Sequence, residues 1–163
     1  MSIVFDENLD LFCLETANTS YIIGLADRVR GQDLRYLLRT GEAPFVPSEN
    51  ERERCSFYDT FPSEYSGNGV GDYRESSIAV RTQAGQHAVM PTYVSYEITD
   101  QKPELPGLPS AFDRENTAQT LILHCRDEVL QLDVDLYYTV FEENDMITRS
   151  VRICNHSKEA VYL

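Results

Sequence analysis

The clearest pattern in the chain is a strict alternation of apolar and polar residues between positions 130 and 140. The even positions are all apolar: Leu130, Leu132, Val134, Leu136, Tyr138 and Val140. The odd positions include Gln131, Asp133, Asp135 and Thr139. A period of two is typical of a β-strand with one face in the core and the other in water. The pattern predicts a strand in which Leu132, Val134, Leu136 and Tyr138 share a buried or half-buried face.

Similar runs along the rest of the chain predict further strands. The segments DLFCLET and TSYIIGLA flank the turn ANT and predict a hairpin. The segment SSIAVRTQAGQHAVMPTYVSYEIT contains two strand-like runs that are broken at Ala84–Gly85, and EEND predicts a turn before a strand over 147–153. The stretch DRVRGQDLRYLLRTG contains a glycine and has no clear cap, so we interpret it as loop or strand. Together the runs predict an all-β protein, an antiparallel β-sandwich in a single domain over residues 1–163.

Two segments between the runs predict irregular structure. KPELPGLPSAF has three prolines in seven residues, and is therefore expected to connect strands without joining a sheet. The glycines of GNGVG, residues 67–71, resemble a phosphate-binding loop only loosely. A Walker loop requires GK[ST] at its end, a dinucleotide fingerprint requires a strand before it and a helix after it, and Asp72 would repel phosphate. We interpret the glycines as a bend beside the sheet.

Charge and composition exclude several classes of function. The 163 residues carry a formal net charge of −13, which disfavours nucleic acid and anionic membranes as partners. The N-terminus has no readable signal peptide, and no apolar run approaches the roughly 20 residues of a membrane span, so we expect a cytoplasmic protein. The cysteines at positions 13, 55, 125 and 154 form no CxxC pair and are expected to be reduced residues of the core or surface.

The residues that could carry chemistry form no recognisable site in the sequence. Asp133 and Asp135 share a strand face and could chelate a cation, but they lack the glycine and distal glutamate of a calcium loop. His124 and Cys125 are neighbours on a strand, so their side chains are expected on opposite faces, which is unsuitable for one zinc ion. We therefore predict no metal and no cofactor. A Ser–His–Asp arrangement that assembles only in space stays open.

The last three residues, Val161–Leu163, have the character of a strand that is just beginning. A domain seldom ends where a strand begins. We therefore expect the chain to be a piece of a longer protein.

Three motifs occur in series in the chain, DTFPSEY…GVGDYR, KPELPGLPS and YTVFEENDMITRSVRICN. Together they resemble the N-terminal domain of bacterial α-galactosidases of glycoside hydrolase family 36. The family pattern DT-P-EY…G-GD-R-P, the connection K-P-L-GLPA and the hairpin YT-FE-.-I-RS-R--N occur here in the same order. The matching positions are Asp59, Thr60, Pro62, Glu64, Tyr65, Gly71, Asp72, Arg74, Lys102, Pro103, residues 105–109, residues 138–142, Ile147, residues 149–152 and Asn155.

The resemblance implies a β-supersandwich related in architecture to galactose mutarotase, incomplete at its C-terminal end. In the family this domain precedes a catalytic (β/α)₈ barrel and a small C-terminal β-domain. The whole enzyme is a retaining hydrolase that removes terminal α-linked galactose from oligosaccharides such as melibiose and raffinose. Its nucleophile and acid/base are aspartates of the barrel, so the resemblance implies no catalytic residue in this segment.

The resemblance also implies two substrate-binding residues that would act in another subunit. In tetrameric members an Asp and an Arg of this region reach the galactose pocket of the neighbouring subunit. Arg54 matches the Arg, and the Asp position falls on Glu42, across a deletion and in a region without the aromatic YWG motif of the family. The plainer alternative for Arg54 is an ion pair with Glu51 or Glu53 in a solvated charged run. The resemblance thus implies a homo-oligomer, as in the homotetrameric members, with α-galactosides as the substrates.

A second class of function stays open beside the first. A stand-alone, non-catalytic β-sandwich could bind carbohydrate or protein. Carbohydrate modules usually present exposed aromatic rings on which the apolar faces of sugars stack. This chain has ten tyrosines and no tryptophan, and most of the tyrosines fall in strand-like runs.

Overall fold

The computed structural model describes residues 2–26, 36–40, 62–107, 111–115 and 117–163. All of its regular elements in these ranges are strands. They are β1 (Ile3–Asp6), β2 (Leu11–Glu15), β3 (Ser20–Ala26), β4 (Tyr36–Thr40), β5 (Arg81–Thr82), β6 (Thr92–Thr99), β7 (Gln119–Asp127), β8 (Leu132–Phe141), β9 (Met146–Asn155) and β10 (Val161–Tyr162). Of the stretch interpreted as loop or strand, 36–40 is a strand and 27–35 lies outside the described residues. The described ranges contain no helix long and apolar enough to cross a membrane.

The ten strands of the described ranges form two four-stranded antiparallel sheets and one short pair. The sheets have the orders β1-β2-β3-β4 and β6-β7-β8-β9, so each is a meander in which neighbours in sequence are neighbours in space. The predicted hairpin is β2–β3, with Glu15 opposite Ser20, and the predicted return strand is β9. The beginning strand at the C-terminus, β10, pairs with β5. The predicted antiparallel all-β fold is therefore confirmed.

The two sheets pack face to face around one core. Phe5 and Phe12 of the first sheet contact Tyr93 and Tyr96 of the second, with the rings of Phe12 and Tyr96 edge to face at a centroid distance of 5.0 Å. The core residues come from both sheets, which makes the architecture a β-sandwich.

The predicted buried face of β8 lies at the centre of this core. Leu132, Val134, Leu136 and Tyr138 are each at most 1% exposed, as the alternation indicated. The opposite face of β8 follows the alternation of buried and half-buried residues at the start of the strand but not at its end. Asp133 and Asp135 are half-buried, but Tyr137 and Thr139 are buried as well. β8 is an interior strand, paired with β7 on one side and β9 on the other.

The glycine-rich segment is a bend, as interpreted, that lies between two other pieces of chain. The Asn68 N–H donates to the Ile78 carbonyl at 3.1 Å, and the Val89 N–H donates to the Asn68 carbonyl at 3.0 Å. A Cβ on Gly67 would lie 1.8 Å from the Val89 carbonyl oxygen, so only glycine fits there. Gly69 and Gly71 have φ values of 76° and 90°, which glycine adopts without steric cost.

Candidate functional site

The most unusual side chain in the described residues is Glu64, a carboxylate that is almost completely buried. Only 1% of its side chain is exposed. The hydroxyl of Tyr138 donates to Oε1 at 2.7 Å, and the hydroxyl of Tyr21 donates to Oε2 at 2.7 Å. The Arg149 guanidinium lies 2.8 Å from Oε1. A buried charge needs a partner of opposite sign and further hydrogen bonds, and Glu64 has both.

The partners of Glu64 reach it from two different sheets. Tyr21 lies on β3, whereas Tyr138 and Arg149 face each other across β8 and β9. The rings of Tyr21 and Tyr138 stack with their centroids 6.3 Å apart, and the guanidinium of Arg149 lies 5.2 Å from the centre of the Tyr138 ring. Because Glu64 lies just before the glycine-rich bend, it connects this part of the chain to both sheets of the sandwich.

Burial and charge keep Tyr138 protonated. Burial is the larger cause, and the negative charge of Glu64 adds to it, so the pKa of Tyr138 lies far above its usual range. Burial lowers the pKa of Arg149, but its electrostatic interactions with Tyr138 and Glu64 more than offset this, and the pKa is raised. Tyr138 therefore acts as a hydrogen-bond donor and Arg149 as a cation.

Beside this cluster lies an open polar cleft of about 300 Å³, which we call the serine cleft. Its lining consists of Ser63, Glu64, Ser66, Asp72, Arg74, Glu75, Ser77 and Arg149. Arg74 holds Asp72 side-on, with Nε–Oδ1 at 2.9 Å and Nη2–Oδ2 at 2.7 Å. This hydrogen bonding from Arg74 lowers the pKa of Asp72. Asp72 is 5% exposed in its side chain, whereas Arg74 is 49% exposed, so the guanidinium is the accessible half of the pair.

The two carboxylates considered as a cation site have side-chain partners within the domain. Asp135 Oδ1 forms a hydrogen bond with His124 Nδ1 at 2.7 Å. Asp133 contacts Arg126 Nη1 at 2.8 Å and His156 Nε2 at 2.6 Å. They form the polar face of β8, as the alternation indicated. Across the described ranges no group of three or more His, Cys, Asp and Glu side chains is placed to hold a metal ion.

His124 and Cys125 have opposite environments, as expected for neighbours on a strand. His124 is half-buried on the polar face, whereas Cys125 is 4% exposed in the core. Burial raises the pKa of the Cys125 thiol to about 12, so the thiol is protonated and unreactive near neutral pH. Cys13 and Cys154 are also free, and Cys55 lies outside the described residues.

The two substrate-binding candidates, Arg54 and Glu42, both lie outside the described residues. They stay predictions from the resemblance. Glu64, in contrast, was one matching position among many in the sequence, with no sign that it is buried. The available signal was that Tyr138 and Arg149 belong to a second matching motif, whose donors a buried carboxylate could use.

Comparison with known proteins identifies the family. The sequence profile of the glycosyl hydrolase family 36 N-terminal domain matches residues 28–163. The chain belongs to glycosyl hydrolase family 36. Within this family 36 domain, Glu64, Tyr138 and Arg149 come from two separate matching motifs, and the fold brings them together at hydrogen-bond distance.

Individual relatives of the family 36 domain are α-galactosidases. The chain is 34% identical to the α-galactosidase Mel36A of Lactobacillus acidophilus over 99% of its own length and 24% of that protein. The crystal structure of the α-galactosidase AgaB of Geobacillus stearothermophilus matches with a TM-score of 0.79 and 25% identity, over 99% of this chain and 23% of that one. A variant of AgaA from the same organism, solved in complex with raffinose, matches with a TM-score of 0.76 and 27% identity, over 93% of this chain and 23% of that one. The chain thus spans about a quarter of the length of these relatives.

Proposed function

We propose that this chain is the N-terminal domain of an α-galactosidase that hydrolyses terminal, non-reducing α-galactosyl residues of oligosaccharides of the melibiose and raffinose type. One observation carries the proposal: the 34% identity to Mel36A extends along 99% of the chain, without a stretch that belongs to another kind of protein. The raffinose complex of AgaA supports the substrate class. A catalytic (β/α)₈ barrel and a C-terminal β-domain follow the segment in the full-length protein.

The segment itself is non-catalytic in this proposal. A retaining glycosidase needs two carboxyl groups about 5–5.5 Å apart on either side of the scissile bond. Asp133 and Asp135 stand side by side on one strand, where Asp133 pairs with Arg126 and Asp135 is hydrogen-bonded to His124. Glu64 is 1% exposed in its side chain and Asp72 is 5% exposed, so neither can attack a sugar without leaving its partners. These environments support a structural role.

The same proposal gives the segment a role in assembly. Arg54 and Glu42 contribute to the galactose pocket of a neighbouring subunit of a homo-oligomer, which in the family's tetrameric members is a homotetramer. The cytoplasm is the proposed location, and the proposal includes no metal and no cofactor. The support for the role in assembly is the order and spacing of the matching motifs.

Activity of the full-length protein and of this segment tests the proposal. The protein encoded by the complete reading frame should hydrolyse a nitrophenyl α-galactoside and melibiose, whereas the 163-residue chain should give no turnover above the buffer rate. A full-length protein with no α-galactosidase activity would favour the stand-alone binding sandwich instead. Turnover by the segment that disappears in Asp133→Asn or Asp135→Asn would place the chemistry in this domain.

A further inference from the structure

The serine cleft combines groups that hydrogen-bond well to a neutral, hydroxyl-rich ligand. Its accessible groups are three serine hydroxyls and two half-exposed guanidinium groups, those of Arg74 and Arg149. Its carboxylates Glu64 and Asp72 are buried beneath these guanidinium groups and hold them in place. The cleft therefore presents fixed donors, and holding donors rigidly reduces the entropic cost of binding.

The charges around the cleft favour a neutral ligand over an anion. Glu64 and Asp72 compensate the two arginines, and Glu75 adds an exposed negative charge to the lining. The whole chain carries −13, so an anion approaches against the long-range field. A sugar hydroxyl, which both donates and accepts, needs no net positive site.

Two of the serines are oriented by the backbone of the bend. The Ser77 N–H donates to Ser66 Oγ at 3.1 Å, and the Ser66 N–H donates to Ser77 Oγ at 3.4 Å. Each hydroxyl oxygen accepts from a backbone N–H, and the two hydroxyls also form a long hydrogen bond with each other, so one of the two protons remains for donation to a ligand. The two Oγ atoms are 3.5 Å apart, so a hydroxyl-bearing ligand can contact both.

The cleft volume of about 300 Å³ is at the lower end for small-molecule sites, which suits a single ring.

We propose that the serine cleft is an accessory saccharide site that holds one hexose unit of a neutral oligosaccharide. The choice of an α-galactoside as the oligosaccharide rests on the function proposed above, but binding itself is measured independently of hydrolysis. A single small site with few apolar contacts should bind weakly, with a Kd in the millimolar range.

A titration of the ¹⁵N-labelled 163-residue chain with raffinose, followed by amide chemical shifts, tests the proposal. We expect saturable shifts at Ser63, Ser66, Arg74 and Ser77. The Ser66→Ala/Ser77→Ala variant should weaken binding by about three- to tenfold, since each lost hydrogen bond contributes modestly. Ser63→Ala changes the rim and serves as the second variant if the first disturbs the bend, and Ser95→Ala, an exposed serine of β6, is the matched control that should bind like the parent.

The outcomes separate this inference from the proposed function. Shifts that do not saturate, that appear equally with sorbitol, or that persist unchanged in both cleft variants would overturn the accessory site, whatever the full-length protein hydrolyses. Saturable binding of maltose with the same Kd as raffinose would support the cleft as a saccharide site but remove its link to α-galactosides. Hydrolysis by the full-length protein without binding to the cleft would leave the proposed function intact and exclude this site.

Discussion

The hydroxyl of Tyr138 donates a 2.7 Å hydrogen bond to Oε1 of Glu64, although the two residues are 74 positions apart in the chain. Tyr138 is fully buried, and the Glu64 carboxylate can form no compensating bond to water. The hydrogen bond therefore connects the chain beside the bend to the centre of the second sheet.

Replacing this donor should destabilise the domain. Tyr138→Phe keeps the ring but removes the hydroxyl, which leaves one oxygen of a buried carboxylate with a single partner, Arg149. We expect a loss of about 1–3 kcal/mol in the free energy of unfolding. Urea unfolding monitored by circular dichroism measures it, and the midpoint should fall with an unchanged m-value.

The matched control is Tyr73→Phe, which removes the same hydroxyl from a ring that is 88% exposed. Its effect should stay within about 0.5 kcal/mol. Equal losses of unfolding free energy in the two variants would show that the hydrogen bond from Tyr138 to Glu64 does not stabilise the domain.

Gly67→Ala should cost more than Gly85→Ala, although only Gly85 has a positive φ, of 83°. The new Cβ at position 67 would lie 1.8 Å from the Val89 carbonyl oxygen, so backbone must move, whereas the space around Gly85 is open. We expect a loss of about 2–3 kcal/mol or more at position 67, as for an overpacked site. At position 85 we expect about 1 kcal/mol from backbone strain alone. Thermal and urea unfolding of the two variants give the order, and the reverse order would contradict the described bend.

The ionised Asp72 should stabilise the domain near neutral pH, and this stabilisation should be lost in acid. Hydrogen bonding from Arg74 lowers the pKa of Asp72 below its ordinary value of 3.8, so the pair stabilises the fold above the unfolded-state pKa. That stabilisation is lost as the pH falls through the folded-state pKa. The difference in unfolding free energy between the parent and Asp72→Asn should therefore be constant from neutral pH to about pH 5 and should shrink below about pH 4.

Urea midpoints of both proteins at pH values from 7 to 2 measure this difference. Glu143→Gln, an exposed carboxylate in the β8–β9 turn, is the control, and its difference from the parent should stay small at every pH. A gap for Asp72→Asn that persists unchanged at the lowest pH would mean that its ionisation is not linked to folding.

In the full-length oligomer, Arg54→Ala should lower kcat/KM for an α-galactoside by roughly tenfold or more while folding and assembly persist. A charge-assisted hydrogen bond contributes about 1.5–3 kcal/mol, which is what such a loss requires. If Arg54 only pairs with Glu51 or Glu53 at the surface, kinetics should be unchanged and stability should fall by less than about 1 kcal/mol. Arg114→Ala, at an exposed arginine of the described residues, is the control.

Subunit mixing decides whether Arg54 acts in another subunit. An Arg54→Ala subunit is combined with a subunit whose barrel nucleophile is removed, so that some pockets take an intact Arg from one chain and an intact nucleophile from another. Part of the activity should return. Mixed oligomers that recover nothing, from two variants that are each impaired alone, would exclude the role in trans.

The strands could be predicted from the sequence because their signals are local. The alternation over 130–140 and the turn EEND predict β8 and its return, and the burial of Leu132, Val134, Leu136 and Tyr138 follows from period two. The burial of Tyr137 and Thr139 could not be predicted in the same way. It depends on the tertiary packing at that end of the strand, because Asp133 and Asp135 have the same two partner strands and are only half-buried.

The Glu64 cluster could not be predicted from local patterns either. Glu64 lies in a segment with no regular period, and its partners are 43, 74 and 85 residues away in the chain. The sequence signal for the cluster was that Glu64, Tyr138 and Arg149 all belong to motifs that match one family. The accessible serines had no such mark, since a serine in a glycine-rich segment normally indicates only a turn.

The meander order of the second sheet has a consequence for the order of folding. β6 to β9 pair with their neighbours in sequence, so β8 and β9 join by closing a turn of only a few residues, whereas the bond from Tyr138 to Glu64 closes a loop of 74. Loop closure costs more entropy as the loop grows, so the meander can form before the bend docks onto it. A contact made after the transition state acts on the unfolding rate alone. The hydrogen bond between Tyr138 and Glu64 therefore slows the unfolding of the finished sandwich and leaves its folding rate unchanged.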